Sequence, residues 1–430
     1  MNQPVAVAPA LDERTATKVA IGALVGNALE WYDFFLFTTA AALVFNVQYF
    51  VSDNPVTAAM ASFATLAVGF VARPIGGLIF GRMGDRIGRR RTLLITITLI
   101  GATTGLIGLL PNEATIGTLA PVLLTLLRVV QGLALGGEWS GAIIIAAENA
   151  PPAKRGRYAA LPQIGSPIGT LMSSGAFVLV SLLPKESFDS WGWRLPFLAA
   201  VPLLLIALYI RRQLEESPAF QELLDAGEVE HAPIRTVFRT AWRPVLAGLT
   251  ASFLGMGGFY LVTTFVISYG TRILQLSSTL LLVGTLVAAV GEIAVIVAAG
   301  RCTERYGAWR VIVTGGLVTA AVAFPVFWLI ETRTPLLVVG AMTLGVAALS
   351  ISYGACGTLL AGLFPLQLRY SGVAIASNGS AMLSGCVPLV ATAFFAASGN
   401  QIWTAAALFM VIALTTVAGG YYSSRMDVHR

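Results

Sequence analysis

Four charged residues lie inside long apolar stretches of the sequence. Glu30 and Asp33 belong to the first stretch, Arg73 to the second and Arg128 to the fourth. A charged side chain in hydrocarbon costs at least about 2.5–3.5 kcal/mol, and it persists only with a partner, with water or with a function. A carboxylate that moves between a desolvated environment and an arginine changes its affinity for protons. These residues are therefore candidates for proton coupling.

The spacing of the four residues allows them to meet. Glu30 and Asp33 share one helix face because they are three residues apart. At a rise of about 1.5 Å per residue, Asp33 lies roughly 20 Å along its stretch, near the middle of a bilayer. Arg128 reaches a similar depth, and Arg73 comes close to the level of Glu30. We take Asp33, then Glu30, as the proton carrier; the alternative is a permanent acid–arginine pair that only joins helices.

A buried arginine that faces a cleft can also hold a substrate carboxylate in a bidentate manner. Arg128 can act in this way or in proton coupling, and Arg73, just before Pro74, can instead extend to the membrane surface. Other polar residues within the apolar stretches are candidates for solute contacts, although most such residues join helices: Asn27, Tyr32, Gln131, Gln163, Tyr260, Glu292, Tyr353 and Asn378.

The elements that must position these residues are membrane helices. Hydrophobic residues make up 56% of the 430-residue chain and charged residues 11%, against about 25% charged residues in soluble domains. Apolar stretches of about 20 residues, long enough to cross a bilayer as helices, predict spans at 19–45, 57–81, 92–110, 118–147, 158–183, 193–210, 244–270, 279–299, 311–330, 335–363, 371–397 and 402–424. We therefore expect an all-α membrane protein with twelve transmembrane helices.

A short basic motif occurs once in each half of the chain. The segment GRMGDRIGRRR at 81–91 returns in weaker form as GRCTERYGAWR at 300–310. Each copy follows one apolar stretch and precedes another, so we expect each to form a tight cationic turn on one side of the membrane. An internal repeat of this kind is typical of transporters that are built from two related halves.

Lys and Arg residues are divided unequally between the two sets of loops. Most of the 27 lie on the side of the repeated motif, whereas the other side has only Lys185, Arg194, Arg272 and Arg333. The positive-inside rule then predicts that both termini lie in the cytoplasm. The expected organisation is a tail at 1–18, a six-helix bundle at 19–210, a cytoplasmic linker at 211–243, a second bundle at 244–424 and a tail at 425–430.

Several motifs resemble those of a known group of transporters. The segment at 81–91 and RVVQGLALGGEWSG at 128–141 are similar to the loop and fourth-span signatures of the major facilitator superfamily. GNALEWYDFFLF at 26–37, GFVARPIGG at 69–77, WGWRLPF at 191–197, EESPAF at 215–220 and LRYSG at 368–372 resemble its metabolite:proton symporter family, which includes shikimate, citrate, α-ketoglutarate and proline/betaine permeases. The resemblance extends from about residue 18 to residue 424.

The resemblance implies the major facilitator fold of two pseudo-symmetric six-helix bundles, in the cell membrane and as a monomer. It also implies proton symport by alternating access, without a cofactor. In the family pattern the first loop clamps the cytoplasmic ends of the two halves together, which assigns a gate to Gly81, Asp85, Arg86, Gly88, Arg89, Arg90, Arg155 and Glu215. The alternative is that this loop only orients the protein, but the acidic Asp85 adds nothing to that signal.

The sequence lacks the residues of an enzyme. It contains no phosphate-binding G-x-x-x-x-G-K-[ST] motif, and its only histidines, His231 and His429, lie in polar segments. We therefore expect no metal. The formal net charge of +6 is explained by the loops, so we expect a bilayer, protons and a small solute as partners, and no nucleic acid.

The buried arginines favour a carboxylate substrate, such as a shikimate-like or dicarboxylic acid. A zwitterion such as proline or betaine is the alternative, because the aromatic run Trp31, Tyr32, Phe34, Phe35 and Phe37 offers cation–π contacts. A sensor of the same fold that does not transport is a further hypothesis.

Overall fold

The computed structural model describes residues 13–87, 89–137, 152–212, 237, 239–364 and 368–426. Within these residues, nine helices are long and apolar enough to cross a membrane. Three shorter apolar helices, Leu94–Leu109, Leu119–Ala134 and Gly192–Leu205, lie where the third, fourth and sixth spans are predicted. The described part of the chain contains no strand. The fold is therefore all-α and consistent with twelve spans.

The long helices are labelled α1 to α12. Helix α1 spans Glu13–Ala40 and continues through a π-helical turn, Ala41–Phe45, to Asn46–Gln48. The others are α2 (Pro55–Ile87), α3 (Arg89–Leu109), α4 (Leu119–Ala134), α5 (Arg155–Ser181), α6 (Leu195–Arg212), α7 (Trp242–Arg272), α8 (Ser278–Tyr306), α9 (Ala308–Glu331), α10 (Pro335–Gly362), α11 (Arg369–Ala397) and α12 (Trp403–Ser423). Short helices cover Glu113–Ile116 and Lys185–Ser190.

The repeated basic motif is mostly helical, which corrects the expectation of a turn over its full length. Helix α2 continues to Ile87 and α3 begins at Arg89. In the second copy α8 runs to Tyr306, and Gly307 makes the turn with a φ of 85°, a conformation that favours glycine. The motif contains no proline that would end either helix earlier. Each copy therefore extends two membrane helices beyond the predicted spans.

The two halves repeat one pattern of helix contacts. In the first half α1 packs on α5, α2 on α4 and α3 on α6. In the second half the corresponding pairs, each six helices later, are α7 with α11, α8 with α10 and α9 with α12. The halves meet where α2 packs on α11 and α5 packs on α8. The repeat of contacts agrees with the internal repeat of the sequence.

Close packing of α2 on α4 brings the two membrane arginines onto facing helices. A Cβ atom at Gly132 would overlap the carbonyl oxygen of Gly69, and one at Gly136 would overlap the carbonyl oxygen of Arg73. Small residues at such a contact allow the helix backbones to approach each other. Any larger side chain at Gly132 or Gly136 would push α2 and α4 apart.

The halves are joined at both ends of the helices. On the side of the repeated motif, here called the basic side, Arg157 Nε donates to Glu304 Oε2 at 2.9 Å. Deeper in the protein, where Gly136 packs beside Arg73 and Gly77, Asn378 Nδ2 donates to the carbonyl oxygen of Gly136 at 2.9 Å. On the opposite side, Arg272 Nη2 donates to Asn46 Oδ1 at 2.9 Å. The centre of the protein is thus enclosed between contacts at two levels.

Candidate proton and solute site

Glu30 of α1 and Arg73 of α2 form a buried ion pair. Arg73 Nη2 lies 3.1 Å from Glu30 Oε1, and the two side chains are 7% and 9% exposed. Burial strengthens the attraction between the charges, but it also makes the loss of either partner costly. The pair therefore fixes α1 against α2 and neutralises both charges in the arrangement observed.

Arg128 of α4 makes a different set of contacts. Its Nη1 donates to Gln131 Oε1 at 2.6 Å, and Gln131 Nε2 donates to the Thr104 hydroxyl at 2.8 Å. Asp33 lies next to Thr104 and within electrostatic reach of Arg128. Among the described residues, no arginine forms a direct ion pair with Asp33. The Thr104 hydroxyl, which also donates to the Ile100 carbonyl oxygen at 2.9 Å, therefore lies between the Arg128–Gln131 pair and Asp33.

Aromatic rings lie against both guanidinium groups. The Arg73 Cζ atom lies 5.9 Å from the ring centroid of Phe34 and 5.5 Å from that of Phe70. The Arg128 Cζ atom lies 5.2 and 5.9 Å from the same two rings and 4.3 Å from Phe37. Both cations therefore share the faces of Phe34 and Phe70, where cation–π contacts stabilise them.

Both arginines keep hydrogen-bonding capacity that the described residues do not use. The Nε atoms of Arg73 and Arg128 are buried and have no hydrogen-bond partner. A guanidinium group presents five N–H donors in a planar fork that fits a carboxylate. The arrangement can therefore accept an anionic group from a solute.

Tyr260 of α7 brings the second half to this site. Its ring centroid lies 5.3 Å from that of Phe34 and 5.7 Å from that of Phe70. The side chain is fully buried, and its hydroxyl group has no hydrogen-bond partner in the described part of the chain. Phe35 and Phe259 extend the same aromatic contact across the halves, with ring centroids 5.0 Å apart. Of the solute contacts predicted in the second half, Tyr260 is the one placed nearest the arginines.

Two other residues that are predicted to contact the solute form hydrogen bonds within the first half. Asn27 Nδ2 donates to the Pro162 carbonyl oxygen at 2.6 Å, which joins α1 to the start of α5. The Tyr32 hydroxyl donates to the Pro196 carbonyl oxygen at 2.7 Å, which joins α1 to α6. These bonds satisfy polar groups between helices, as most polar residues in membrane bundles do.

A second polar cluster lies between α5, α8 and α10. Gln163 Nε2 donates to the carbonyl oxygen of Tyr353 at 3.4 Å. Glu292 is 1% exposed, and none of the described residues forms a hydrogen bond with its Oε2 atom. Glu292 interacts electrostatically with Tyr353, which also interacts with Tyr260. Gln163, Glu292 and Tyr353 thus lie near one another, and Tyr353 is within electrostatic range of Tyr260. Asn378 instead contacts Gly136, just after α4.

The contact observed at the basic side involves the second copy of the repeated motif. Glu304 accepts hydrogen bonds from both the backbone and the side chain of Arg157. Arg155, which was predicted to belong to the gate and lies two residues before Arg157, is exposed. The backbones of Gly81, Asp85, Arg86, Arg89 and Arg90 lie at the facing ends of α2 and α3, whereas Gly88 and Glu215 lie outside the described residues.

Comparison with known proteins establishes the family. The model of the Major Facilitator Superfamily matches residues 23–342. The chain belongs to the major facilitator superfamily. It is 38% identical to the inner membrane metabolite transport protein YhjE of Escherichia coli, over 86% of each chain. It is 36% identical to the shikimate transporter of E. coli, over 92% of this chain and 91% of the relative.

Other comparisons show the breadth of this superfamily. The chain is 33% identical to the proline/betaine transporter of Salmonella typhimurium, over 95% of this chain and 84% of the relative. A structure of the proton:xylose symporter XylE bound to 6-bromo-6-deoxy-D-glucose superposes with a TM-score of 0.74 at 17% identity, over 97% of this chain and 96% of XylE. That match shows a shared fold. The protein is a multi-pass membrane transporter of the metabolite transporter group, and not an enzyme.

Sequence reasoning missed three contributors to the site. Thr104 lies between Gln131 and Asp33, Phe70 faces both arginines, and Glu304 joins the halves. Thr104 and Phe70 are ordinary residues for an apolar span, so their types carry no functional signal. Glu304 was visible as the acid of the second motif, in the position of Asp85 in the first.

Proposed function

We propose that the protein imports a small organic carboxylate together with a proton. The observation that supports this proposal most directly is the balance of charge at the site. Two buried arginines, Arg73 and Arg128, face two acids, and among the residues that the structure describes only Glu30 forms a direct ion pair with one of these arginines. When Asp33 is ionised the four charges cancel. When Asp33 binds a proton, Arg128 is left without compensation, and a substrate carboxylate restores neutrality.

This balance gives a physical basis for coupling. A proton on Asp33 favours binding of an anion at Arg128, and by linkage the anion favours the proton to the same extent. The unpartnered Nε atoms of Arg73 and Arg128 supply donors for the carboxylate. Release of the anion on the other side of the membrane returns the site to the state in which Asp33 gives up its proton. The proton gradient then drives the cycle without a cofactor.

Alternating access requires that the contacts at the two ends break in turn. In the proposed cycle, the Arg157–Glu304 ion pair and the Asn378–Gly136 hydrogen bond open for release at the basic side. The Arg272–Asn46 hydrogen bond opens for entry at the opposite side. We assign the basic side to the cytoplasm, the loop with Asp85 and its arginines to the same gate, and a monomer to the working unit. Protease protection in oriented vesicles tests the orientation.

Uptake into proteoliposomes tests the proposed function. The panel contains shikimate, dicarboxylates, citrate, aromatic acids, proline and glycine betaine, each with and without an inward proton gradient. Wild-type protein is expected to accumulate a carboxylate against its gradient. Asp33→Asn resembles the protonated acid in shape and charge, so it is expected to bind and exchange the same solute without accumulating it. Asp53→Asn changes an exposed residue in the same way and serves as the control.

Two results would contradict the proposal. Gradient-driven accumulation that survives in Asp33→Asn would remove Asp33 as the proton carrier, and Glu30 would be tested next. Accumulation that is unaffected by the proton gradient in wild-type protein would refute proton symport. Binding without any flux would instead support a sensor.

A zwitterionic solute is a second candidate because of Glu292. This acid is buried in the second half without an ion pair among the described residues, while the arginines lie in the first half. A solute with a carboxylate and a cationic nitrogen would match this separation of charge. Accumulation of proline or glycine betaine, lost in Glu292→Gln but not in Glu186→Gln, would favour this candidate over a simple carboxylate.

A further inference from the structure

Asp33 borders a cavity that lies inside the first half. The cavity has a volume of about 60 Å³, lies between α1, α3 and α6, and is partly open to the outside of the bundle. Its polar wall contains Glu30 and Asp33, and the rest is mainly apolar, formed by Gly26, Leu29, Tyr32, Ile97, Ile100, Gly101, Ala200, Leu203 and Leu204. Within the described ranges, no residue of the second half contributes to it. The cavity is therefore separate from the contact between the halves, where Tyr260 packs on Phe34.

One end of the cavity is more exposed than the other. Asp33, Ile97 and Ile100 are buried, whereas Gly26 and Leu203 are partly exposed. Gly26 precedes Asp33 on α1, which begins at the basic side, and Leu203 lies on the part of α6 that returns to that side. The more open end of the cavity is therefore nearer the basic side than Asp33 is.

The contents of this space follow from its size and walls. A site holds a water molecule when it offers about 10–15 Å³ for the probe and a few polar partners. The cavity exceeds that volume, and the carboxyl groups of Glu30 and Asp33 supply the partners. Asp33 retains 8% of its surface, so it is not sealed from this space. An apolar wall on the remaining sides confines water to the line between the two acids.

Other groups around Asp33 do not offer a second route of this kind. Arg128 on α4 and Thr104 on α3 approach Asp33, and Arg128 itself is 1% exposed. Tyr32 on α1 uses its hydroxyl to bind α6, and Arg73 on α2 is paired with Glu30. On the side of the second half, Tyr260 and the aromatic rings close the space.

We propose that this cavity holds the water through which Asp33 exchanges its proton with the basic side, by a path separate from that of the solute. The proposal rests on the proposed function, because it assumes that Asp33 carries the proton. Glu30 borders the same cavity, so its carboxylate is the second proton-accepting group on this path. After the anion has been released, the proton can then leave through this cavity by a route that the solute does not use.

Filling the cavity tests the proposal. Ala200→Leu adds three carbon atoms to the buried wall, and Leu204→Phe fills the same space from a more exposed position. Solute exchange at equal pH is expected to continue. Proton flux, measured with a pH-sensitive dye inside the vesicles, and gradient-driven accumulation are expected to fall by about tenfold or more, because positioned proton transfer contributes about 10²–10⁴-fold in rate.

Two controls separate the cavity from general packing. Ala102→Leu makes the same change at an exposed position on α3, and Ala200→Ser leaves room for water. Both are expected to behave as wild-type protein. The inference is overturned if both filled variants accumulate solute normally, or if exchange and accumulation fall in parallel. If wild-type protein shows no proton-driven accumulation, the proposed function fails and the inference fails with it.

Discussion

The ion pair between Arg157 and Glu304 is expected to control how often the basic side opens. The pair joins α5 of the first half to α8 of the second, and Glu304 accepts hydrogen bonds from Arg157 N at 3.1 Å and from Arg157 Nε at 2.9 Å. Both bonds must break when the halves separate at this end. Glu304→Ala removes them only from the closed arrangement, so it is expected to increase the population of the open one.

The size of the effect follows from the exposure of the two side chains. Arg157 is 52% exposed and Glu304 is 14% exposed, so the ion pair itself contributes the roughly 0.2–1 kcal/mol of a surface pair. The backbone hydrogen bond adds about 0.5–1.5 kcal/mol. The sum is about 0.7–2.5 kcal/mol, which corresponds to a change of roughly 3- to 60-fold in the ratio of closed to open protein.

Distances between spin labels measure this ratio. Labels at Ala153 and Arg301, which are exposed near the ends of α5 and α8, report the separation at the basic side. The three cysteines are first replaced by alanine. Glu304→Ala is expected to raise the long-distance population, and Arg157→Ala is expected to raise it less, because the backbone N–H of residue 157 still reaches the carboxylate. Glu186→Ala is the control on the opposite side.

The reasoning would be refuted by an unchanged distance distribution in Glu304→Ala, or by an equal change in the Glu186→Ala control. A charge exchange gives a stricter test. Arg157→Glu combined with Glu304→Arg restores the ion pair but not the bond to the backbone, so its closed population is expected to lie between those of wild-type protein and Glu304→Ala. A combined variant that opens more than either single variant would contradict this account.

Three further sets of variants test the packing, the buried ion pair and the Tyr260 hydroxyl by thermal unfolding in detergent. Gly132→Ala is expected to destabilise the protein by about 1–3 kcal/mol, because its Cβ would overlap the Gly69 carbonyl oxygen of α2, and a change of less than about 0.5 kcal/mol would show that this close contact does not hold α2 and α4. Gly117→Ala is the control: its Cβ meets nothing within 4 Å, so its cost of about 1–3 kcal/mol comes from a backbone φ of 62° and ψ of −147°, and the packing of α2 on α4 is expected to stay the same. Glu30→Gln and Arg73→Gln are each expected to lower the free energy of unfolding by about 3–5 kcal/mol. The double variant is expected to lose less than the sum of the two, and strict additivity would mean that the two residues do not interact. Tyr260→Phe removes a buried hydroxyl group that has no partner among the described residues. The free energy of unfolding is therefore expected to stay the same or rise by about 1 kcal/mol. A clear decrease would show that the hydroxyl group forms a hydrogen bond in solution.

The sequence was sufficient for those features of the site that depend on position along one helix. The placement of Glu30 and Asp33 on one face of α1, and the apolar surroundings of Arg73 and Arg128, follow from spacing and composition. The membrane class and the family, which the comparisons confirm, follow from the same local information. A charge in hydrocarbon is costly wherever the helix packs, so its presence alone indicates a site.

The ends of the helices at the repeated motif were less predictable. Hydropathy places the end of the second span at residue 81, but α2 continues to Ile87. Backbone hydrogen bonds within a helix do not require an apolar environment, so a polar segment without proline continues the helix into water. Hydropathy indicates which part of a helix lies within the membrane, and not where the helix ends.

The sequence by itself thus determined that acids and arginines stand at the centre of a duplicated membrane bundle. The tertiary structure alone decided that Arg73 pairs with Glu30, that Thr104 lies between the Arg128–Gln131 pair and Asp33, and that Glu304 holds the halves together. It also decided that Asp33 borders a cavity formed with α3 and α6. The physical reason is that pairing depends on the rotation and separation of neighbouring helices. Those are set by contacts between distant residues, such as Gly132 against Gly69, and the pattern along any one helix does not contain them.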